Sequence, residues 1–193
     1  MKRIFSLIAV VAAAATTLMA CGKKASATEA KNIESAPKVL VAYFSATGTT
    51  KAAAEKVAKA TGAELFEIKP TEAYSSADLD WTEKTSRCCK ENDDPKSRPA
   101  FEKSKESLDG YDLIFLGFPI WWNNAPRIIN TFMDTYQLKG KRVVMFMTSG
   151  GSGIENVEKV FKKAYSEVKW EAGKLLNDMS EDEIGDWAKG YIE

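Results

Sequence analysis

The stretch KVLVAYFSATGTTKAAAEKVAKATG, residues 38–62, predicts a strand, a loop and a helix in direct succession. Residues 38–45 form an apolar run rich in β-branched and aromatic side chains, which predicts a strand buried on both faces. Residues 49–61 have helical spacing and stop at Gly62, a suitable residue just past a helix end. A buried strand that passes directly into a helix is typical of an α/β protein with a parallel sheet.

The same alternation continues along the chain. Further strands are predicted at residues 64–70, 111–121 and 141–150, with a short one near 170–176. Helices are predicted at residues 125–138 and 154–168, and a last helix begins at Ser180, where Glu183 completes a capping box. We therefore expect an α/β fold in which five parallel strands form a three-layer, doubly wound sheet.

The predicted helix over residues 154–168 has an apolar face. We expect Val157, Val160, Phe161 and Ala164 on its buried side, because they recur at helical spacing. The segment from residue 71 to residue 99 matches neither a strand nor a helix. It is polar, and we expect either a functional loop or an irregular insertion along the sheet edge, with one helical turn around residues 77–84.

Three loops follow predicted strands and should meet at one edge of the sheet. They are residues 45–50, 119–126 and 148–153. In a doubly wound sheet, ligands bind beyond the carboxyl ends of the strands, near the point where the strand order reverses. These loops therefore hold the candidate binding residues.

The first loop has the composition of an anion site that uses no cation. A helix start presents unpaired N–H groups and a partial positive charge. Gly48 allows close backbone approach, and the hydroxyls of Ser45, Thr47, Thr49 and Thr50 add donors. The Walker pattern is missing, so we predict a phosphate cradle of another kind. The alternative is that Thr49 or Thr50 simply caps the helix.

At these residues the chain resembles the flavodoxin family. The loop SATGTT at 45–50 matches the family pattern [ST]-x-T-G-[NT]-T, and PIWWNNAP at 119–126 is similar to the P-I-W-W-G-x-x-P loop of one branch. The resemblance covers residue 38 to about residue 192. It implies a flavodoxin-like fold and FMN as the cofactor, with the FMN phosphate in the first loop.

The resemblance also implies roles for the other two loops. Trp121 or Trp122 would stack on the flat isoalloxazine ring, with Trp122 favoured, although a tryptophan pair at a strand end can also be ordinary edge packing. The third loop would offer backbone groups to the polar edge of the ring. The implied cofactor-binding residues are Ser45, Ala46, Thr47, Gly48, Thr49, Thr50, Pro119, Ile120, Trp121, Trp122, Asn123, Thr148, Ser149, Gly150 and Gly151.

Two positions depart from the family pattern. Asn123 stands where the branch commonly has glycine, and a peptide near the flavin changes orientation on reduction in flavodoxins. Asparagine tolerates positive φ better than other non-glycine residues, so the change remains possible at a greater cost. The third loop lacks the aromatic residue that soluble carriers usually have there. One flavin face is then open, or is covered by Tyr74 or Trp81.

Composition narrows the function. The chain has no histidine, which excludes histidine-based acid–base catalysis and histidine-ligated metals. Its formal net charge is zero, so we expect no nucleic-acid partner. Cys88 and Cys89 are neighbours that would rarely bridge each other. We expect packing or surface thiols there, with a redox dithiol as the alternative.

The favoured function is therefore that of an FMN-binding electron-transfer protein, with a redox partner protein or a small-molecule electron acceptor. The alternative is an FMN-dependent oxidoreductase such as an NAD(P)H:quinone reductase. A third class is a binding module that has kept the fold and lost the flavin.

The first residues read as an export signal. Lys2 and Arg3 precede an apolar run that ends at Cys21, as in the bacterial lipobox. We expect a lipoprotein signal at residues 1–21, a flexible tether at 22–37 and one domain at 38–193. Lipid on Cys21 would hold the protein outside the cytoplasm in a bacterial cell envelope. A plain secretory signal or a transmembrane anchor are the alternatives.

Overall fold

The computed structural model describes residues 36–192, which are built around a parallel β-sheet. The strands are β1 (Val39–Tyr43), β2 (Glu64–Glu67), β3 (Leu113–Pro119), β4 (Arg142–Thr148), β5 (Lys169–Trp170) and β6 (Lys174–Leu175). The helices are α1 (Thr49–Thr61), α2 (Arg87–Asp93), α3 (Arg127–Tyr136), α4 (Glu155–Ala164) and α5 (Glu181–Lys189). The predicted signal peptide and lipobox, and the tether up to residue 35, lie outside the described residues.

The strand order confirms the predicted doubly wound sheet. It runs β2-β1-β3-β4-β5, every pairing between these strands is parallel, and β6 also pairs with β4. The chain moves from β1 to β2 on one side and then crosses to β3 on the other. The order therefore reverses between β1 and β3, which places a ligand crevice beyond the carboxyl ends of these two strands.

Both faces of the sheet are buried, which explains the uniformly apolar strands. Along β1 the side chains alternate between two apolar clusters: Leu40 and Ala42 face one, and Val39, Val41 and Tyr43 face the other. Helices α3 and α4 contribute to the first cluster, whereas α1 and α5 contribute to the second. The result is the expected three-layer arrangement.

The predicted end of α1 and the predicted capping box of α5 are confirmed, whereas the buried face of α4 is narrower than predicted. Gly62 ends α1 in the left-handed conformation, and Ser180 and Glu183 form the capping box of α5. In α4 only Val157 and Phe161 are buried, whereas Val160 and Ala164 are exposed. Helix α4 therefore packs on the sheet through a narrower stripe than predicted. It also ends at Ala164, several residues before the predicted end.

The segment between residues 71 and 99 contains a helix that the sequence did not predict. Residues 75–80 form a turn near the expected place, but the regular helix is α2, further along the chain. A polar network anchors it: the carboxylate of Glu91 accepts from the Tyr74 hydroxyl at 2.5 Å and from Arg87 at 2.6 Å. Arg127 of α3 donates to the carbonyl oxygens at the end of α2.

Among residues 36–192, none of the helices combines the length and the apolar character needed to span a lipid bilayer.

Candidate functional site

The three predicted loops meet around one cavity at the carboxyl edge of the sheet. Its volume is about 530 Å³, within the range of ~300–1,000 Å³ that is typical of small-molecule sites. The predicted residues that line it are Ser45, Ala46, Thr47, Thr49, Thr50, Pro119, Ile120, Trp121, Trp122, Thr148, Ser149 and Gly150. The structure therefore brings together side chains that are far apart in the chain, at the switch between β1 and β3.

Three predicted residues do not line the cavity. Gly48 precedes the helix as its N-cap residue, with φ of 92°. Asn123 is exposed and its carbonyl oxygen accepts a hydrogen bond from the Asn156 side chain at 2.9 Å. Gly151 is exposed and its N–H donates to the Ser149 hydroxyl at 3.1 Å. Each of them shapes a loop whose neighbouring residues face the cavity.

Helix α1 starts without a side-chain cap. Within residues 36–192, no side chain accepts a capping hydrogen bond at this start, and the first residue before the helix is Gly48 rather than a threonine. The alternative that Thr49 or Thr50 caps the helix is therefore wrong. Ser45 instead accepts from the N–H of Gly48 at 3.1 Å, which folds the loop back on itself. The first N–H groups of α1 stay available to a ligand.

The donor set at this helix start fits a phosphate group. The hydroxyls of Thr47 and Thr49 line the cavity, and both residues are exposed. In the described part of the chain, no residue that lines the cavity carries a charged side chain. Any negative charge held here would rest on amide dipoles and hydroxyl groups, which is sufficient chemistry for binding an anion at a helix N-terminus.

Thr50 has a different role from the neighbouring hydroxyl residues. Its Oγ1 is hydrogen-bonded to Oγ1 of Thr148 at 2.7 Å, and both side chains are buried. The bond joins the first turn of α1 to the end of β4. Neither hydroxyl has another partner among the described residues, and both are shielded from water, so breaking this bond would leave two buried hydroxyls unsatisfied. The bond therefore fixes the first loop relative to the third.

The second loop is a tight turn in which the two tryptophans differ. Trp121 and Asn124 exchange backbone hydrogen bonds of 2.9 and 2.8 Å, while Trp122 and Asn123 between them have φ of 46° and 60°. Positive φ at both central positions is typical of a type I′ turn, and Asn123 can adopt it. The ring of Trp121 packs edge-on against Phe44 and Tyr74, which is the edge packing considered above for one of the pair.

Trp122 is the more available of the two indoles. The residue is 39% exposed and lines the cavity, and within residues 36–192 no aromatic ring packs against it as Phe44 and Tyr74 pack against Trp121. A partly exposed indole in the wall of a cavity is suited to a flat aromatic ligand.

The third loop has fewer free backbone donors than the sequence suggested. The N–H of Ser149 donates to the Asn177 side chain, and those of Gly151 and Ser152 donate to the Ser149 hydroxyl. Among the described residues, the N–H of Gly150 has no protein acceptor. Gly150 is therefore the cavity-lining residue of this loop whose backbone N–H can be offered to a ligand.

Four further residues line the cavity, of which the sequence analysis had considered only Trp81: Leu79, Trp81, Cys88 and Asn177. Trp81 was considered as a cover for the flavin, and it is 71% exposed at the cavity wall. Tyr74, the other candidate cover, packs behind Trp121 instead. Burial and the neighbouring Glu91 raise the pKa of its hydroxyl, so Tyr74 stays neutral.

The two neighbouring cysteines are buried and unbridged. Burial raises the pKa of the Cys88 thiol, so this thiol remains protonated near neutral pH and is a poor nucleophile. This agrees with the expectation of packing thiols. Nothing in the sequence could have signalled that Cys88 lines the cavity, because its position depends on how α2 docks.

The fold and the site together define a class: a doubly wound α/β protein with a mononucleotide-sized crevice at its switch point. The flavodoxin family model matches residues 38–191, and the chain belongs to the flavodoxin family. No curated protein matches the chain.

Solved structures agree with this assignment. A candidate flavoprotein from Bacteroides eggerthii is 53% identical, with a TM-score of 0.76, over 80% of this chain and 97% of that one. A candidate flavoprotein from Bacteroides uniformis is 50% identical, with a TM-score of 0.77, over 80% and 99%. A flavoprotein from Lactobacillus acidophilus, solved in complex with FMN, is 26% identical, with a TM-score of 0.64, over 79% and 99%.

The buried hydroxyl pair can be tested by unfolding the protein without ligand. Thr50→Val leaves the Thr148 hydroxyl buried without a partner, which we expect to lower the free energy of unfolding by about 1–3 kcal/mol. The double change to valine at both positions should cost less than the sum of the single changes. Urea titration gives these values. Thr135→Val, at an exposed helical threonine, is the matched control and should change stability little.

Additive effects of Thr50→Val and Thr148→Val would contradict a direct hydrogen bond between the two hydroxyls.

Proposed function

We propose that this protein binds FMN without a covalent bond and transfers electrons. The observation that carries the proposal is the uncapped start of α1, which opens into a cavity lined by hydroxyl groups and by an available indole. FMN, when bound, supplies the redox chemistry, and the protein supplies position and electrostatics.

The site offers distinct groups to the two ends of FMN. The first N–H groups of α1 and the hydroxyls of Thr47 and Thr49 would hold the phosphate. Trp122 would stack on the ring, and the N–H of Gly150 would meet its polar edge. A related flavoprotein from Lactobacillus acidophilus was solved in complex with FMN, which supports FMN as the cofactor. The P-I-W-W branch is the part of the family that this second loop favours.

Electron transfer is the favoured role because the lining offers no acid or base. Among the described residues around the cavity, the titratable side chain is that of Cys88, which burial keeps protonated. A one-electron carrier needs no catalytic proton donor, and its partner would be a redox protein or a small-molecule acceptor.

An FMN-dependent oxidoreductase, such as an NAD(P)H:quinone reductase, is the second candidate. One observation favours it: Gly150 is exposed in the third loop, and a Cβ built on it would meet nothing within 4 Å. This loop therefore contributes no side chain that would cover a flat cofactor, which leaves room for a second flat substrate.

We also propose that Cys21 carries lipid and anchors the protein in a bacterial cell envelope, outside the cytoplasm. The lipobox-like ending of the apolar run supports this proposal.

Flavin titration tests FMN binding. The full chain in detergent should quench FMN fluorescence at saturation and bind riboflavin more weakly, because riboflavin lacks the phosphate. Thr47→Val with Thr49→Val should weaken FMN binding about tenfold or more and leave riboflavin binding unchanged, since each lost hydrogen bond to a charged group is worth ~1.5–3 kcal/mol. Absence of quenching by the unchanged protein would support the third class, a fold that has lost its flavin.

Reduction by nicotinamides separates the two redox roles. For a carrier, NADH or NADPH alone should leave the visible absorbance of bound FMN unchanged over minutes, while a reducing partner or chemical reductant bleaches it. Rapid bleaching by either nicotinamide, followed by turnover of an added quinone, would contradict the carrier role and establish the oxidoreductase.

Lipid attachment can be followed by labelling. Cells that express the full chain and are fed a labelled fatty acid should incorporate label into the protein, which fractionates with membranes. Cys21→Ser should abolish the label, because the acylated thiol is lost. The double change Cys88→Ser with Cys89→Ser is the matched control and should retain it. Label that persists in Cys21→Ser would exclude this anchor.

A further inference from the structure

Asn177 forms a two-bond clamp on the backbone of the third loop. Its Oδ1 accepts from the N–H of Ser149, and its Nδ2 donates to the carbonyl oxygen of Ser149, both at 2.7 Å. Asn177 follows β6 and lines the cavity, although no sequence pattern marked it. One side chain therefore satisfies both backbone polar groups of one residue, Ser149, as a neighbouring strand would.

The position of Asn177 results from a shift in register along the fifth strand. Arg142 pairs with Lys169, an offset of 27 residues, whereas Phe146 pairs with Lys174, an offset of 28. The chain between β5 and β6 thus contains one extra residue, as at a β-bulge. The second offset carries on past β6 and sets Asn177 opposite Ser149. Without the extra residue, the apolar Leu176 would stand there.

The bulge is held by α4. The N–H of Gly173 donates to the carboxylate of Glu158 at 2.9 Å, so the amide released by the bulge has an acceptor. A Cβ on Gly173 would lie 2.9 Å from that carboxylate and 3.0 Å from the carbonyl oxygen of Met145. A side chain at this position would require the Glu158 carboxylate to move and the Met145 carbonyl oxygen to shift by a few tenths of an ångström. Beyond the bulge, the N–H of Leu176 donates to Met147 at 2.8 Å, which locks the segment that carries Asn177.

The clamp determines which groups of the third loop are available. With the Ser149 backbone bonded to Asn177, the Ser149 hydroxyl accepts from the N–H groups of Gly151 and Ser152. The loop is closed by its own bonds, and within the described residues the N–H of Gly150 is left without a protein acceptor. A loop fixed before binding loses less conformational entropy when a ligand arrives.

We propose that Asn177 is the positioning residue of the ring end of the site: it fixes the third loop in the shape that presents the Gly150 N–H to a flavin ring. This inference rests on the proposed FMN binding. Asn177 acts through Ser149 in the third loop, whereas the proposed phosphate cradle is built from the first loop.

The test compares FMN with riboflavin on the full chain in detergent. Asn177→Leu removes both bonds of the clamp at nearly constant size, and Asn177→Asp keeps the acceptor but replaces the donor. Both variants should raise the dissociation constant of riboflavin about tenfold, because two hydrogen bonds of ordinary strength order the loop. For Asn177→Leu, which adds no charge, the dissociation constant of FMN should rise by the same factor. The visible spectrum of bound riboflavin should also shift, since its surroundings lose an ordered donor.

The double change Thr47→Val with Thr49→Val provides the contrast, because it should weaken FMN and spare riboflavin. Thermal melting of each protein without flavin identifies a variant that fails to fold. If Asn177→Leu fails to fold, Asn177→Asp provides the test. Unchanged riboflavin affinity and spectrum in a folded Asn177 variant would overturn the inference, as would a loss confined to FMN. Failure of the unchanged protein to bind either flavin would instead remove the proposed function, and this inference with it.

Discussion

The N–H groups at the start of α1 are the constraint on which the candidate site depends. They face a cavity, no side chain caps them in the described chain, and the residue before them is a glycine with φ of 92°. Unpaired backbone donors at a helix start require an acceptor, and water or an anion can supply it. The hydrogen bonds of the first loop hold it in place around that acceptor: Ser45 accepts from the N–H of Gly48, and Thr50 bonds to Thr148 at the end of β4.

The neutrality of the cavity has a chemical consequence. A cradle of dipoles and hydroxyls binds a phosphate without placing a lysine or arginine beside the ring. The proposed ring end would consist of an indole and a backbone N–H donor, both uncharged. An uncharged, partly apolar surrounding disfavours extra negative charge on a ligand, so the protein can influence a reduction potential through this low polarity alone.

The sequence predicted the fold well because its signals were local. The apolar run before residue 45 and the glycine at 62 are signals that need only a few neighbouring residues. The parallel topology followed from the alternation of strands and helices along the chain. Helix α2 escaped prediction because its seven residues are mostly polar, and it is stabilised by Tyr74 and Arg127, which are distant in sequence. Val160 and Ala164 were placed inside because helical spacing cannot show how wide a stripe the sheet covers.

The parts of the candidate site that follow a sequence motif could be predicted, whereas the part that depends on strand register could not. The three loops could be aligned because strand ends share one edge of a parallel sheet. Asn177 could not, because a single extra residue near Gly173 decides whether it or Leu176 stands opposite Ser149. The difference between Trp121 and Trp122 also needed the structure, since it arises from the packing of Phe44 and Tyr74.

A crystal structure of this protein grown with FMN is the most direct measurement of the central claim. The claim predicts phosphate oxygens at ~2.7–3.2 Å from the first N–H groups of α1 and from the hydroxyls of Thr47 and Thr49, with no cationic side chain in contact. A phosphate held by a lysine or arginine, or one that points into solvent while α1 keeps its start bonded to protein, would contradict it.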